Sequence, residues 1–325
     1  MKQLAIGLFS GGLDSILAVK LIQKLGFNVL AIHFVTPFFA KGEEPSSIKK
    51  IAQELGIKLK VITLGEDYVA MVKRPRFGYG KNMNPCIDCK VFMFKKAKEL
   101  MEQLKADFVF SGEVLGERPM SQTINSLRVI EQESGLVGKL LRPLSAKLLE
   151  PTPLEKEGKV DRMQLLAIKG RSRKNQIELA EKFGLKHYPN PAGGCLLTDR
   201  YFTERLKDAF SNNEDGLAEL ELLKYGRHFR LPSAAKVIVG RNEQENKVLA
   251  KLKMKKDLVF TPTKVKGPLV ILKNYQSEQD IEIAAGICAR YSDGHNEPKV
   301  EIRCGRKRLQ VKPLEPNSVE IWLVH

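Results

Sequence analysis

The sequence has no run approaching 18 uninterrupted apolar residues, so nothing in it reads as a membrane span. Its most apolar stretch, Asn28–Ala40, is broken by His33 and Pro37. The apolar run Leu4–Phe9 follows a single lysine and ends at Ser10-Gly11-Gly12, too short for a secretory signal. Cysteine is scarce and odd in number, five in 325 residues, which argues against a disulfide-stapled secreted scaffold. The expected location is therefore the cytoplasm. Reduced cysteines there serve as core fillers, catalytic thiols or metal ligands. There are no internal repeats and no low-complexity tract. Acids are in deficit, 38 Asp+Glu against 54 Lys+Arg, a formal charge of +16. Such an excess calls for a polyanionic partner, and without a membrane segment nucleic acid is the better candidate. Hydrophobic and charged fractions of 43% and 28% are ordinary globular values and exclude disorder throughout.

The length suits two domains. Lys2–Phe9, Asn28–Val35, Leu59–Leu64 and Ala106–Ser111 read as strands. Asp14–Leu25, Pro45–Leu55 and Cys89–Lys105 have helical spacing, and Gly26 and Gly56 close the first two. Strands alternating with helices predict βαβ units, an α/β fold with a Rossmann-like parallel sheet over residues 1–200. Residues 201–223 hold two basic and six acidic side chains. Residues 201–233 are accordingly expected to be an acidic-to-basic linker. Beyond it, Lys236–Val239, Leu258–Thr261, Leu269–Leu272, Lys299–Arg303 and Val319–Val324 read as strands and Ile281–Tyr291 as a helix. Residues 234–325 are thus expected to form a small α+β domain.

The sharpest motif is Ser10-Gly11-Gly12-Leu13-Asp14-Ser15, between the first strand and the first helix. Its glycines let the backbone approach an anion, and the amides of the helix N-terminus point at it. Ser10 and Ser15 add hydroxyl donors, while Asp14 suits a bound Mg2+ or orients the turn. No Lys-Ser/Thr follows the glycines and there is no GxGxxG, so neither a Walker A loop nor a dinucleotide fingerprint is present. Cys86 and Cys89 form Cys-x-x-Cys within Asn84-Pro85-Cys86-Ile87-Asp88-Cys89-Lys90. Cys89 is placed near a helix N-terminus, where the dipole favours a thiolate. Cys195 follows Pro191-Ala192-Gly193-Gly194, a turn able to bring it against another element. Cys288 and Cys304 read as buried or incidental. Three thiols leave a redox disulfide or persulfide route and a three-cysteine iron–sulfur cluster open, whereas a structural zinc lacks a fourth ligand.

The Ser10–Ser15 string resembles the pyrophosphate loop of the ATP pyrophosphatase (PP-loop) superfamily. That resemblance implies ATP and Mg2+ as cofactors and cleavage of ATP to AMP and pyrophosphate, with adenylation of an oxygen that a nucleophile then displaces. It places adenine near His33-Phe34 and near Ser111-Gly112. Ser111–Gly116, Ser121-Gln122-Thr123 and Arg142-Pro143-Leu144 look like the corresponding stretches of tRNA 4-thiouridine synthases. The Asn-Pro-x-x-x-Cys-Lys context resembles the first cysteine motif of tRNA 2-thiouridylases. Because the loop begins at Ser10, the RNA-binding extension that precedes it in 4-thiouridine synthases is not expected. Cys-x-x-Cys plus one distant cysteine is similar to cluster-dependent tRNA thiolation enzymes, which implies a [4Fe-4S] cluster on Cys86, Cys89 and Cys195. The implied activity is a tRNA sulfurtransferase, with Cys86, Cys89, Cys195 and Asp14 as catalytic residues and tRNA as partner; Asp199 is a further carboxylate available to assist. The sulfur donor and the oligomeric state are not legible.

Val239–Asn246, Ala284–Ser292 and Lys312-Pro313-Leu314 resemble an NFACT-R type RNA-binding domain. Lys224–Lys273 holds 13 basic and three acidic residues, and Lys299–Lys312 six and one, a density suited to phosphates. Lys73–Lys98, around the first cysteine pair, holds eight basic residues and one acid. Positive charge on both parts fits one long polyanion. Two other functions remain compatible with these features: a nucleotide-sensing protein that docks on RNA or the ribosome, and a PP-loop sulfur insertase acting on a small molecule.

Overall fold

The computed structural model describes residues 3–39, 45–185, 188 and 195–325. The Pro191–Gly194 turn lies outside the described residues. The chain divides into two compact units, Met1–Thr198 and Asp199–His325.

The first unit runs β1 (Leu4–Leu8), α1 (Leu13–Lys24), β2 (Asn28–Val35), α2 (Pro45–Glu54), β3 (Lys58–Thr63), α3 (Glu66–Lys73), α4 (Cys86–Leu104), β4 (Phe108–Ser111), α5 (Ile124–Ser134), β5 (Leu140–Leu141), α6 (Pro153–Lys156) and α7 (Lys174–Lys182). Its five strands are parallel in the order β3-β2-β1-β4-β5, as the βαβ alternation predicts. β1 lies at the centre, with Ala5 facing Val29 on one side and Phe108 on the other. A strand covered on both faces must be apolar throughout, and Ala5 and Ile6 are fully buried. α1 is buried nearly all round. Ile16, Val19 and Ile22 join one apolar cluster with Phe27, Phe108 and Phe110, and Leu13, Leu17 and Leu21 join a second with Val114, Leu144 and Ala180. Chain order reverses between β1 and β4, and open parallel sheets take ligands in the crevice at the carboxyl ends of such strands. The Ser10–Ser15 loop stands there.

α4 begins three residues before the helix expected from Cys89. The reason is Asp88, whose carboxylate accepts from the amides of Arg76 (2.8 Å) and Phe77 (3.1 Å). This ties the irregular segment before α4 to its first turn and brings Cys86 into the helix.

The second unit runs α8 (Arg200–Ser211), α9 (Leu217–Leu222), β6 (Arg227–Arg230), β7 (Lys236–Val239), α10 (Glu243–Leu252), β8 (Leu258–Pro262), β9 (Val270–Lys273), α11 (Glu278–Arg290), β10 (Val300–Cys304), β11 (Lys307–Val311), α12 (Pro316–Glu320) and β12 (Leu323–Val324). Its seven strands form an antiparallel sheet in the order β11-β10-β8-β9-β7-β6-β12. α11 supplies Ala284, Ala285, Ile287 and Cys288 to the core on one face. On the other face Leu222 and Leu249, from α9 and α10, meet Ile238 and Ile271.

Residues 201–233 are folded, which corrects the expectation of a linker. Phe202 and Leu206 are buried, and the acids that made the segment look solvated are neutralised in place. Arg230 reaches Asp208 (2.7 Å) and Glu214 (2.8 Å), and Lys236 reaches Glu214 (3.0 Å). Val319–Val324 is a short helix entered through Pro316, followed by the two-residue β12, in place of one strand. α10 was hidden in the polar string after Gly240. Asn242 caps it by accepting from the Glu245 amide (2.9 Å), and the Asn246 side chain accepts from the Leu269 amide (3.0 Å), so that polarity is used inside the fold. Among the described residues no helix is long and apolar enough to cross a membrane.

Candidate functional site

The nucleotide loop is shaped by two close approaches. Gly11 has φ +77, a conformation that favours glycine, and a Cβ there would stand 2.5 Å from Ile48. Gly112, just past β4, lies so close to the turn into α1 that a Cβ would stand 2.6 Å from the backbone of Asp14 and Ser15. Gly12 is the N-cap of α1 and no side chain caps the helix, which leaves first-turn amides directed at the crevice. Ser15 donates to the Gly12 carbonyl (2.8 Å), and the Gly12 amide donates to Ser10 Oγ (3.3 Å). Leu13 anchors the turn in the core.

Asp14 points its carboxylate into this site, and its Oδ1 is buried without a hydrogen-bond partner among the described residues. Burial pushes its pKa up, against the Gln176 amide and the charges of Arg173 and Arg118. Gln176, on α7, is fully buried beside it. Glu117 is raised as well, by burial and then by repulsion from Asp14, while Arg118, Arg173 and Lys90 oppose the rise. Two carboxylates that repel each other beside an anion-binding loop are the donors a divalent cation needs, and the orphaned Asp14 oxygen fits that use.

His33 is buried, and its Nδ1 lies 3.0 Å from the carbonyl of Phe9, the residue before the loop. A carbonyl can only accept, so Nδ1 carries the proton. The ring stacks at 6.4 Å on Phe39. The Phe34 side chain is buried, leaving its backbone to face a ligand.

Cys89 stands against Tyr68, and the charges of Cys86 and Cys195 act on the same phenol. Cys86 and Cys89 occupy the first turn of α4, and Tyr68 Oη lies 3.1 Å from Cys89 Sγ. Cys195 arrives through backbone pairing. The Leu196 amide donates to Phe38 (3.0 Å), and the Met83 amide donates to Leu197 (3.2 Å). Asn82 adds a side-chain bond to the Thr198 carbonyl (2.8 Å). Cys195 Sγ then lies 3.9 Å from the Phe38 carbonyl, and the Phe38 ring is 6.1 Å from that of Tyr68. Burial pushes the Tyr68 phenol well up, and the charges of Cys89, Cys195 and Cys86 push it further. Burial raises the Cys89 thiol, opposed by Tyr68 and Lys90, and raises Cys86, opposed by Arg118 and Lys90. Here desolvation outweighs the cations, so the low-pKa thiolate expected at this helix terminus is not what the surroundings produce. Three thiols are the donor number and kind that a three-cysteine cluster takes, and the Asp88 carboxylate between Cys86 and Cys89 is engaged by the Arg76 and Phe77 amides. Among the described residues, however, no group of three or more His, Cys, Asp or Glu side chains stands ready to hold a metal ion. Cys288 is fully buried, its thiol pushed up to about 12, and Cys304 packs partly buried against the core. Asp199 caps α8 by accepting from the Phe202 amide (2.7 Å), a structural role in the second unit.

Between nucleotide loop and thiols lies an ionic relay that sequence reasoning missed. Lys90 Nζ is 3.1 Å from Glu113 Oε1, and Glu113 Oε2 accepts from Arg142 (3.1 Å) and Ser111 Oγ (3.0 Å). Arg142 also donates to Glu131 (3.0 Å) and to the Leu127 carbonyl (3.2 Å). Lys90 and Arg142 hold the Glu113 carboxyl at about 2 despite its burial. Gln122 accepts from the Arg118 amide (2.9 Å), which fixes the loop that presents Glu117 and Arg118. Lys90 and Arg118 therefore act on Cys86 and on Glu117 alike. The signal was available, since Glu113, Gln122 and Arg142 sit in the stretches that resemble thiouridine synthases.

The chain thus joins a parallel α/β unit, with a glycine loop at its strand ends and a thiol site, to an antiparallel α+β unit. Residues 2–147 match the family model of the thiamine biosynthesis protein ThiI, and residues 226–323 match the NFACT protein RNA binding domain. Over 113 residues the chain is 33% identical to a tRNA-specific 2-thiouridylase MnmA of Syntrophotalea carbinolica, covering 32% of each chain. Over 146 residues it is 30% identical to a probable tRNA sulfurtransferase of Thermococcus kodakarensis, covering 43% of this chain and 36% of that one. The chain thus spans about a third of the length of these curated relatives. A solved 4-thiouridine synthetase–RNA complex with bound ATP superposes with a TM-score of 0.40 at 21% identity, over 68% of this chain and 52% of that one.

Proposed function

We propose that the protein is an ATP-dependent tRNA sulfurtransferase that converts a uridine carbonyl of tRNA to a thiocarbonyl. The observation that supports this most is that one unit holds both the Ser10–Ser15 loop, closed against Gly112, and thiols fixed by contacts, Cys89 to Tyr68 (3.1 Å) and Cys195 to the Phe38 carbonyl (3.9 Å). The relatives named as thiouridylase and sulfurtransferase, and the RNA-binding match of residues 226–323, point the same way.

The triphosphate lies over Ser10–Ser15, with Gly11, Gly12, Leu13 and Ser15 as backbone and hydroxyl donors. His33, Phe34 and Gly112 line the adenine end, and Asp14 with Glu117 holds the Mg2+. The uridine carbonyl oxygen attacks the α-phosphorus, the bond to the β-phosphate oxygen breaks, and pyrophosphate leaves. Sulfide (HS−) held at the Cys86/Cys89/Cys195 site attacks the activated carbon, the carbon–oxygen bond breaks, and AMP departs with that oxygen. Arg118, Arg173 and Lys90 offset the negative charge that develops on phosphate, so the protein contributes chiefly position and electrostatics. A [4Fe-4S] cluster held by the three cysteines would supply an iron without a protein ligand as the place for sulfide. The cysteines' own part is to hold sulfur at a partly buried site beside Tyr68.

Adding unmodified tRNA to the protein and MgATP is expected to release pyrophosphate and AMP in equal amounts. Anaerobically purified protein is expected to be brown, absorbing near 400 nm, an approximate band for such clusters. ATP binding without tRNA-dependent pyrophosphate would mark a nucleotide sensor instead. Colourless protein that still thiolates would move the chemistry to a persulfide on the same cysteines.

A further inference from the structure

The sheet of the second unit has two faces with different fates at its β8–β10–β11 end. Phe260, Ile302, Leu309 and Val311 turn toward α11 and the core. Side chains alternate along a strand, so Thr261, Arg303, Arg308 and Gln310 turn the other way. Arg303, Arg308 and Gln310 are exposed there. The register sets Arg303 directly opposite Arg308, with Thr261 on its other side. Like charges opposed across an antiparallel pair repel. One acid, Glu301, answers them. It lies 3.4 Å from Arg308 and also accepts from Thr263 (2.6 Å) and Gln310 (3.2 Å).

The turn between β10 and β11 adds Arg306, which is exposed. Pairing of Cys304 with Phe260 sets this turn beside the start of β8, which follows Lys253, Lys255 and Lys256, exposed as well. The acid at that point, Asp257, is buried against Lys273 (3.2 Å) and does not neutralise them. A cluster of cations with so little internal compensation is costly in the free protein and favourable only when an anion spans it. The polar face offers no aromatic ring among Thr261, Glu301, Arg303, Arg308 and Gln310, so it is built for phosphates and not for stacking single-stranded bases.

We propose that the open face of β8–β10–β11, with its hairpin tip, is the surface on which the second unit holds the phosphate backbone of folded RNA, and that Arg303 and Arg308 clamp one phosphate between them. The RNA here is the tRNA of the proposed function, and the surface rests on that reading. Two guanidinium groups that repel when empty present paired N–H donors to a shared oxyanion, which converts the repulsion into charge-assisted bonds. The contact gives affinity and orientation without reading sequence.

The test uses the full chain and a fluorescent unmodified tRNA transcript, titrated at several salt concentrations. R303Q/R308Q is compared with R227Q/R290Q, which removes two cations on the α11 side, where Arg227 stacks at 5.0 Å on Tyr291. R303Q/R308Q is expected to weaken binding about tenfold near 0.1 M salt. It should also lower the slope of log K against log salt by about 0.8, the loss of one neutralised phosphate. Its melting temperature without RNA should equal or exceed that of the wild type, because a repulsion has been removed. The control should bind within about twofold of the wild type, with an unchanged salt slope. Wild-type affinity and slope in R303Q/R308Q would overturn the surface and leave the tRNA reading intact. A wild-type protein that does not bind tRNA would overturn both.

Discussion

Changing any one of Cys86, Cys89 or Cys195 to alanine is expected to lower thiouridine formation by about three orders of magnitude or more, the scale for losing a member of a unit that acts together. The same variants should still release pyrophosphate from ATP when given tRNA. The separation follows from the site. Ser10–Ser15, Asp14 and Glu117 belong to the crevice between β1 and β4, whereas the thiol site lies beside Tyr68 at the start of α4. Removing a sulfur leaves the adenylating machinery in place but strands the adenylate, which water then hydrolyses. Nucleoside analysis of tRNA after the reaction, run beside a pyrophosphate assay, reads both quantities. Any single variant that thiolates at the wild-type rate would remove that cysteine from the chemistry. Loss of pyrophosphate release in all three would show that the thiols act before activation. Double variants should be scarcely worse than single ones, since groups acting as one unit are not additive.

Glu113→Gln is expected to be the most destabilising single change in the first unit, at about 3–5 kcal/mol. The carboxylate is buried between Lys90 and Arg142, and its replacement leaves those cations without their partner. Lys90 is partly exposed and can turn to water, but Arg142 is 3% exposed and keeps only Glu131 as a counter-charge, with the Leu127 carbonyl. A pH signature separates this loss from one of packing. Glu113 titrates at about 2 in the folded protein, below the ordinary value near 4.5. A depressed carboxylate contributes stability that is present in full above about pH 4.5 and is lost as the pH falls toward 2. Urea unfolding of the wild type should therefore show a stability loss across that window. In Glu113→Gln this component should be missing, so the two proteins should differ less at pH 3 than at pH 7. Equal stability at pH 7 would contradict the relay. Lys90 also acts on Cys86 and Cys89, so the variant should thiolate poorly even below its melting temperature.

What was legible in the sequence was what lies close together along the chain. Ser10–Ser15 directly after an apolar strand specifies a nucleotide loop because strand end, turn and helix start are consecutive. Gly112 could be placed as a strand-end glycine, but its close approach to the backbone of Asp14 and Ser15 is a matter of packing. Cys86 and Cys89 announce themselves by spacing. Cys195 does not, because its approach depends on backbone pairing of Phe38 with Leu196 and of Met83 with Leu197, which join segments far apart in sequence. Lys90, Glu113, Glu117, Arg118, Arg142, Arg173 and Gln176 are lone residues whose importance comes from what they face. The acidic stretch after Arg200 misled for a related reason. A charge count cannot tell a solvated acid from one held by Arg230 and Lys236, so a folded segment read as a linker.

In the proposed reaction a uridine carbonyl oxygen leaves on the phosphate of AMP while sulfur takes its place. Isotope transfer tests it most directly. A tRNA transcript made with uridine carrying 18O at the carbonyl to be replaced is incubated anaerobically with the full chain, MgATP and a sulfide source, and AMP is examined by mass spectrometry. The expected result is one 18O atom in AMP for each thiouridine formed, with pyrophosphate in equal amount. AMP without the label, or ADP and phosphate in its place, would contradict the account.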